Sequence, residues 1–355
     1  MRFRAAEFFA GIGLVRLALE QEGFTVVFAN DIDPAKHRLY AANFDDSCFL
    51  LEDIRKIKGR NVPSVDLASA SFPCIDLSLA GNRAGLRGEH SNTFWEFARV
   101  LEEMGRRRPR AILLENVVGF LSAHQGRDLA NALARLNGLG YSCGLSVVDA
   151  KWFVHQSRPR LFIVGSLRPH GETFPRASVP ASLNLPPPPK HSTTLADIVE
   201  RFASDDVIWW DRTRFARFRG SLRPIHARRL EQMLRLSGPA WATAYRRTRD
   251  GRPVWEIRFD GLSGCLRTAR GGSSKQAVVE VNRGKARARW MTPLEYARLQ
   301  GAPDYQFQNE RRNICLSAFG DAVCVPAVAW IARNSVLPLL QNHGEPKSHQ
   351  LALAV

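Results

Sequence analysis

The sequence predicts an α/β protein in which a Rossmann-like sheet is joined by a second, smaller domain. Short apolar runs alternate with amphipathic helical segments between residues 3 and 167, the pattern of a largely parallel sheet. The first of these runs leads into a glycine turn, and the composition changes at a proline-rich stretch that begins at Pro169. With 355 residues, of which 45% are hydrophobic, the chain is long enough for two domains.

The first predicted unit is a strand, a turn and a helix of the kind that holds a nucleotide. Residues 3–9 predict the strand, Gly11 and Gly13 the turn, and residues 15–21 the helix. The glycines would let a cofactor approach the backbone near the helix N-terminus. Because Leu14 follows Gly13 directly, the third glycine of a pyrophosphate-binding turn is missing. S-adenosylmethionine therefore fits better than a dinucleotide.

Carboxylates follow the next two apolar runs. The strand predicted at residues 25–30 ends at Asp31, about 20 residues after the glycines, where a ribose hydroxyl pair would be held. Asp33 precedes a proline and is better explained as a helix cap. Asp53 follows a third short run, and it could accept from an adenine amino group or be an ordinary turn aspartate.

Cys74 follows a buried strand predicted at residues 65–72 and a proline turn. This turn would expose its thiol at the carboxyl end of a strand, where open α/β folds have their ligand crevice, and a thiolate there can act as a nucleophile. The alternative is a small buried hydrophobic residue. The polar, glycine-rich residues 78–91 predict a loop that closes over a substrate.

Three more charged residues are placed for chemistry. A predicted strand at residues 110–114 leads into Glu115, whose carboxylate could share the crevice of Cys74. Arg158 and Arg160 introduce the strand predicted at residues 161–164 and would point the same way in an extended backbone. They could hold an anion or a carbonyl oxygen, or be ordinary surface charge.

The positive charge is concentrated in one block. The net charge is +16, and residues 201–300 hold 22 Lys and Arg against 9 Asp and Glu. Of these 22 cations, 20 are arginines, which grip phosphate and guanine with paired hydrogen bonds. The block predicts a surface for a polyanion, nucleic acid first, with a solvated basic face as the alternative. Its glycine-rich loop at residues 264–274 predicts contacts to phosphates or base edges. The candidate DNA-binding residues are Arg267, Thr268, Arg270, Gly271, Gly272 and Ser273.

Cysteine spacing and hydropathy argue against several classes of protein. The six cysteines are scattered without CxxC spacing, so we expect no metal site and a reduced, cytoplasmic setting. We find no apolar run of membrane-spanning length, and the N-terminus lacks the layout of a signal peptide, so no membrane association is expected.

Taken in order, these stretches resemble the DNA cytosine carbon-5 methyltransferases from about residue 4 to residue 336, except in the variable middle block. Each stretch is a weak signal alone, and six in family-like order are specific. The matching motifs are Phe9-Ala10-Gly11-Ile12-Gly13, Phe72-Pro73-Cys74, Glu115-Asn116-Val117, Gln156-Ser157-Arg158-Pro159-Arg160, Thr292-Pro293-Leu294-Glu295 through Gly301, and Gly320-Asp321-Ala322-Val323.

The resemblance implies a Rossmann-like S-adenosylmethionine-dependent methyltransferase sheet, built from both ends of the chain, with a smaller target-recognition domain. The implied catalytic domain covers residues 1–166 and 287–340, the recognition domain residues 167–286, and residues 341–355 form a loose tail. Cys74 would be the nucleophile, Glu115 would engage the base, and Arg158 and Arg160 would be partners of the base oxygen and the thiolate. The residues implied around S-adenosylmethionine are Phe9, Gly11, Gly13, Asp31, Ile32, Asp53, Ile54, Pro73, Phe94 and Val323.

The activity implied is methyl transfer to carbon 5 of a flipped-out cytosine in duplex DNA by a monomer, with a restriction endonuclease as a separate partner. A tRNA cytosine methyltransferase, a nicotinamide-linked oxidoreductase and a non-catalytic DNA-binding protein are the alternatives. Five residues depart from the usual family pattern: Leu14 for glycine, Asp31 for glutamate, Ile75 for glutamine, Cys265 for threonine and Asp321 for asparagine.

Overall fold

The computed structural model describes residues 2–73, 93–168, 181–189, 193–249, 251–268 and 275–341. The larger of its two sheets has eight strands in the spatial order β3-β2-β1-β4-β5-β7-β6-β8. The strand β7 runs antiparallel to both of its neighbours, and the other pairs are parallel. The strands are β1 (Arg4–Phe8), β2 (Thr25–Asp31), β3 (Phe49–Leu51), β4 (Leu67–Ala70), β5 (Ala111–Val117), β6 (Tyr141–Asp149), β7 (Pro159–Leu167) and β8 (Ala181–Ser182).

Helices cover both faces of this sheet, which explains why β1, β2, β4 and β5 are buried along most of their length. The first helices are α1 (Leu14–Gln21), α2 (Pro34–Ala41), α3 (Thr93–Glu103) and α4 (Arg127–Gly138). Alternate residues of one strand face different cores: Leu113 packs in the cluster that contains α1, and Ile112 and Leu114 in the cluster that contains α3 and α4. This alternation fixes the register of the strands.

The expectation that both ends of the chain supply strands to this sheet is wrong. The C-terminal return adds only helices among its described residues from 293 to 341, because a capping box at Thr292 and Glu295 starts a helix there and the apolar residues that follow have helical spacing. These helices are α8 (Pro293–Leu299), α9 (Arg312–Asp321), α10 (Val325–Ile331) and α11 (Leu337–Gln341), and α10 packs on α1.

A second, four-stranded antiparallel sheet has its own core. Its order is β10-β9-β11-β12, and the helices α6 (Arg212–Gly220) and α7 (Pro224–Leu234) precede it. Trp210, Phe218 and Trp255 pack together in this core. The strands are β9 (Ala240–Arg249), β10 (Arg252–Arg258), β11 (Gln276–Asn282) and β12 (Lys285–Trp290), and the short helix α5 (Leu195–Ile198) lies upstream.

The limits of the two predicted domains stay predictions, but two strands cross them. The strand β8 belongs to the larger sheet although it follows the limit predicted at residue 166, and β12 continues to Trp290, beyond the limit predicted at residue 286. A fully buried ion pair between Arg289 and Glu295 joins the end of β12 to α8, and Arg289 also donates to the carbonyl oxygen of Glu200. The second sheet is thus joined to the C-terminal helix α8 by a buried polar contact.

One helical segment among the described residues, Arg312–Gln341, is long and apolar enough to cross a membrane by composition. The most apolar 18-residue stretch of this segment is 72% buried inside the protein. Packing in the core therefore accounts for its hydropathy.

Candidate active site

The glycine turn and the first predicted carboxylate lie together at the carboxyl edge of the sheet. Gly11 and Gly13 have φ angles of 56° and 77°, and a Cβ atom on Gly13 would lie 2.5 Å from the ring of Phe44. The Gly11 N–H donates to Oδ2 of Asp31 at 2.8 Å, and the Asp33 N–H donates to Oδ1 at 2.9 Å. Asp31 is therefore a fixed carboxylate beside a turn that lets a ligand reach the backbone.

The other predicted cofactor residues lie in different surroundings. Asp33 caps α2, as predicted, by accepting from the N–H groups of Ala35 and Lys36. The carboxylate of Asp53 caps a short 3₁₀ turn at Ile54–Lys56 and pairs with Arg55 at 2.6 Å, and this hydrogen bond lowers the pKa of Asp53.

The apolar residues predicted for the cofactor site differ in exposure. Ile32 is 62% exposed, whereas Ile54, Phe94 and Val323 are buried. The ring of Phe94 packs on that of Phe72 at 5.5 Å. An exposed apolar side chain directly after Asp31 is available for contact with a flat ring.

A buried glutamate beneath the turn was missed by the sequence analysis. Glu7 lies in β1, is 1% exposed, and accepts from the Arg16 N–H in the first turn of α1 at 3.3 Å. It thereby caps a helix whose own N-cap residue, Gly13, has no side chain to do so. Burial raises the pKa of Glu7 to about 8. The signal for it in the sequence is a carboxylate within an otherwise apolar strand.

We expect Glu7 to make stability fall with rising pH. The unfolded glutamate ionises near pH 4.5 and the folded one near pH 8, so the folded chain binds more protons between these values. The free energy of unfolding should therefore fall across this window, by up to about 1.4 kcal/mol per pH unit from this group. Urea unfolding at several pH values should show that Glu7→Gln, compared with the parent chain, removes this fall. A parallel pH dependence in the two chains would contradict the assignment.

The segment that leads to Cys74 is held against the strand that carries Glu115. Strands β4 and β5 pair in parallel, with Ala70 opposite Leu114, so their carboxyl ends coincide. The Asn116 side chain then donates to the Phe72 carbonyl oxygen at 3.2 Å. Cys74 and the predicted loop at residues 78–91 lie outside the described residues. Pro73 is the last described residue before them, at the same edge of the sheet as Glu115.

Glu115 and Arg160 form an ion pair in this crevice, as neighbours across β5 and β7. Oε1 of Glu115 lies 3.0 Å from Nε of Arg160, and the glutamate is 9% exposed. The guanidinium of Arg160 also reaches Sγ of Cys265, 3.8 Å away in the predicted recognition region. The structure thus brings together two of the predicted catalytic residues.

Arg158 is directed differently, into a buried junction. Its guanidinium donates to the carbonyl oxygens of Leu266 at 2.8 Å, Gly320 at 3.3 Å and Ala322 at 2.6 Å, and the residue is 2% exposed. Burial, and then the nearby Arg160 guanidinium, lower the pKa of Arg158. Its catalytic role stays a prediction. Its observed contacts join the recognition region to the segment that precedes α10.

Two glutamines complete this junction, and the sequence analysis gave neither of them a role. Gln156 accepts from the Leu266 N–H at 3.0 Å and donates to the Leu299 carbonyl oxygen at 2.8 Å. Gln300 donates to the Phe319 carbonyl oxygen at 2.8 Å. Both side chains are fully buried, so each hydrogen bond compensates the desolvation of a polar group. Nothing in local sequence shows that these segments meet.

Of the six predicted DNA-binding residues, the structure describes Arg267 and Thr268, and the other four lie outside the described residues. The backbone at these two positions passes directly over Gly320. A Cβ atom on Gly320 would lie 2.2 Å from the Arg267 carbonyl carbon and 2.6 Å from the Thr268 nitrogen. The Thr268 hydroxyl donates to Oδ1 of Asp321. The predicted recognition region therefore packs against the C-terminal end of α9.

We expect Gly320→Ala to displace this contact. The added methyl group would meet backbone atoms on both adjoining residues, so either segment must move, at a cost of about 1–3 kcal/mol of stability. Thermal unfolding checks the cost, and Gly220→Ala is the control because a Cβ atom there meets nothing within 4 Å. Equal melting temperatures for the two variants would contradict the close approach.

Cys265 lies between the two arginines of the Gln156–Arg160 motif. Its Sγ lies 3.4 Å from Nη1 of Arg158. Burial disfavours its thiolate, but the guanidinium groups of Arg158 and Arg160 outweigh burial and lower the pKa of Cys265. This position was noted in the sequence only as a departure from threonine.

The strand order and the single antiparallel strand β7 are those of the S-adenosylmethionine-dependent methyltransferase fold, with the glycine turn, Asp31 and Glu115 at the edge where such folds bind their ligands. The family model described as C-5 cytosine-specific DNA methylase matches residues 3–336. The chain belongs to this family and is an enzyme, a methyltransferase.

Relatives along most of the chain agree with this assignment. Type II methyltransferase M.DsaV of Dactylococcopsis salina is 28% identical over 348 residues, which are 97% of this chain and 90% of that protein. Type II methyltransferase M.NlaX of Neisseria lactamica is 29% identical over 342 residues, which are 94% of this chain and 96% of that protein. The crystal structure of the S. pombe Dnmt2 methyltransferase matches the fold with a TM-score of 0.65 at 16% identity, covering 95% of this chain and 99% of that one.

Proposed function

We propose that the chain transfers a methyl group from S-adenosylmethionine to carbon 5 of a flipped-out cytosine in a specific duplex DNA sequence, through a covalent adduct with Cys74. One observation carries the proposal. Strands β1, β4 and β5 are consecutive in the sheet, so the glycine turn, the segment that leads to Cys74, and Glu115 follow one another along one edge. A methyl donor and a pyrimidine can then lie side by side.

The residues at the glycine turn fit S-adenosylmethionine. Backbone with positive φ at Gly11 and Gly13 lets a ligand approach closely, and the oriented carboxylate of Asp31 suits two ribose hydroxyl groups. Ile32, exposed and adjacent, would cover the adenine ring. When bound, this cofactor supplies an electrophilic methyl group on a sulfonium. The role of the chain is to bind and orient it.

Methyl transfer needs a nucleophile from the protein because carbon 5 of cytosine is itself a poor nucleophile. Addition of the Cys74 thiolate at carbon 6 makes the ring enamine-like, so carbon 5 can take the methyl group. When the base is bound, Glu115 would share a proton with ring nitrogen 3 and so stabilise the charge that builds there, and in the free protein Arg160 holds the same carboxylate in an ion pair. A base then removes the carbon 5 proton, and the electrons return to expel Cys74.

The arginine-rich second sheet suits duplex DNA as substrate. A base inside the stack cannot reach Glu115, so it must rotate out at a cost of a few kcal/mol, which contacts to the DNA backbone offset. Arg267 and Thr268 lie on the catalytic part of the chain, where they can contact DNA beside the flipped base. Since the relatives named above are Type II methyltransferases, we propose a restriction-modification role beside a separate endonuclease.

The test is transfer of labelled methyl groups from S-adenosylmethionine to genomic duplex DNA and, in parallel, to tRNA. Bisulfite sequencing of the expression host's DNA then gives the target site. We expect label in DNA, at cytosines of one short sequence. Label in tRNA alone would favour the tRNA methyltransferase, and label in neither substrate would favour a binding protein on this scaffold.

A further inference from the structure

Asp321 was noted above as a departure from the family pattern, and the structure shows which groups its carboxylate contacts. One oxygen, Oδ2, lies 3.0 Å from Nζ of Lys36 in α2, and the other accepts from the Thr268 hydroxyl. The three residues are far apart in the chain, and they lie on a cofactor-side helix, the segment before α10, and the recognition region. They form a bridge between regions that bind different ligands in the proposed function.

Lys36 is also near a second carboxylate, that of Asp31, so the contact with Asp321 decides which of the two carboxylates it pairs with. Its side chain extends to the glycine turn, with Cδ 4.0 Å from where a Gly11 Cβ atom would stand. Burial by itself would lower the pKa of Lys36, but the carboxylates of Asp321 and then Asp31 outweigh burial and raise it. The ammonium group therefore lies within electrostatic reach of both Asp31 and Asp321, and it pairs with Asp321.

We propose that Asp321 is a positioning residue for the cofactor site: it holds the Lys36 ammonium away from Asp31, and the Thr268 hydroxyl orients it from the recognition region. This rests on the proposed role of Asp31 as the ribose carboxylate. Without Asp321, Asp31 is the carboxylate with the largest remaining effect on Lys36, ahead of Asp33, and an ion pair with Asp31 would compete with the cofactor hydroxyl groups. The recognition region thus influences cofactor affinity through one hydroxyl.

The test measures binding of S-adenosylhomocysteine to the full chain by calorimetry, without DNA. We expect Asp321→Ala to raise the Kd by about 3- to 10-fold, in the range of coupling between neighbouring residues. Thr268→Val should raise it in the same direction by less. Lys36→Met removes the competitor, so by itself it should change the Kd by less than about twofold, and in the double variant it should reverse most of the effect of Asp321→Ala.

The rescue separates this role from a merely structural one, because loss of packing at residue 321 would not be repaired by shortening Lys36. Arg135→Met, which breaks the Arg135–Glu102 ion pair elsewhere on the surface, is the control and should leave the Kd unchanged. If Asp321→Ala does not fold, Thr268→Val with and without Lys36→Met gives the same comparison.

Two results would overturn the proposed positioning role of Asp321. Binding by the parent chain with no change in the Asp321 and Thr268 variants would overturn it alone. A double variant as weak as Asp321→Ala would also overturn it, because Lys36 would then have no part. Failure of the parent chain to bind S-adenosylhomocysteine would contradict the proposed cofactor as well.

Discussion

Cys74→Ala is expected to abolish methyl transfer, with a loss of at least about 10³-fold in kcat, because no other step makes cytosine carbon 5 nucleophilic. Strand β4 ends at Ala70, and the Asn116 side chain donates to the Phe72 carbonyl oxygen, so the described backbone before position 74 is held by contacts that do not involve the thiol. DNA affinity should survive. Initial rates of label transfer and a gel-shift titration measure the two properties separately.

The control for this variant is Cys143→Ala, which removes a partly buried thiol of β6 that packs against the core cluster containing α3 and α4. It should retain transfer. Transfer at the parent rate by Cys74→Ala would remove this residue from the mechanism, and loss of transfer in both variants would point to misfolding.

Glu115→Gln should lower kcat by about 10²–10³-fold with a small change in the KM for DNA. The substitution keeps the shape of the side chain. It removes the carboxyl group that would share its proton with ring nitrogen 3 when the base is bound. In the free protein the substitution also removes the ion pair with Arg160, whose Nε lies 3.0 Å from Oε1 of Glu115, so part of the loss reflects a freer guanidinium. Steady-state rates with saturating cofactor measure the effect.

Glu102→Gln is the matched control, since this exposed glutamate of α3 pairs with Arg135 on the surface. Its kcat should equal that of the parent chain. If Glu115→Gln mainly raised the KM and left kcat intact, Glu115 would serve binding and not the chemical step.

Local sequence predicts the elements that position the site because the signals for them are local. Glycines at positive φ, Asp33 as a cap on α2 and the Thr292–Glu295 capping box each act within a few residues. The same is true of the apolar runs that became β1, β2, β4 and β5. The Rossmann-like methyltransferase sheet was implied by the family resemblance and is confirmed, whereas the order of its strands was not predicted.

The contacts that join the segments around the site depend on residues far apart in the chain. Arg158 was predicted to face the base, and nothing near it indicates that three carbonyl groups from residues 266, 320 and 322 would surround it. Lys36 and Asp321 pair across 285 positions of the sequence. The sheet was expected to be built from both ends of the chain, but the C-terminal segment contributes helices, and α10 packs on α1.

The most direct measurement is to incubate the chain and S-adenosylmethionine with duplex genomic fragments in which 5-fluorocytosine replaces cytosine. Fluorine at carbon 5 cannot leave as a proton does, so the adduct cannot collapse after methyl transfer. Mass spectrometry of the digested complex should then find a fluorinated, methylated cytosine on the peptide that contains Cys74. Methylated DNA without this adduct, or an adduct on a different cysteine, would contradict the mechanism.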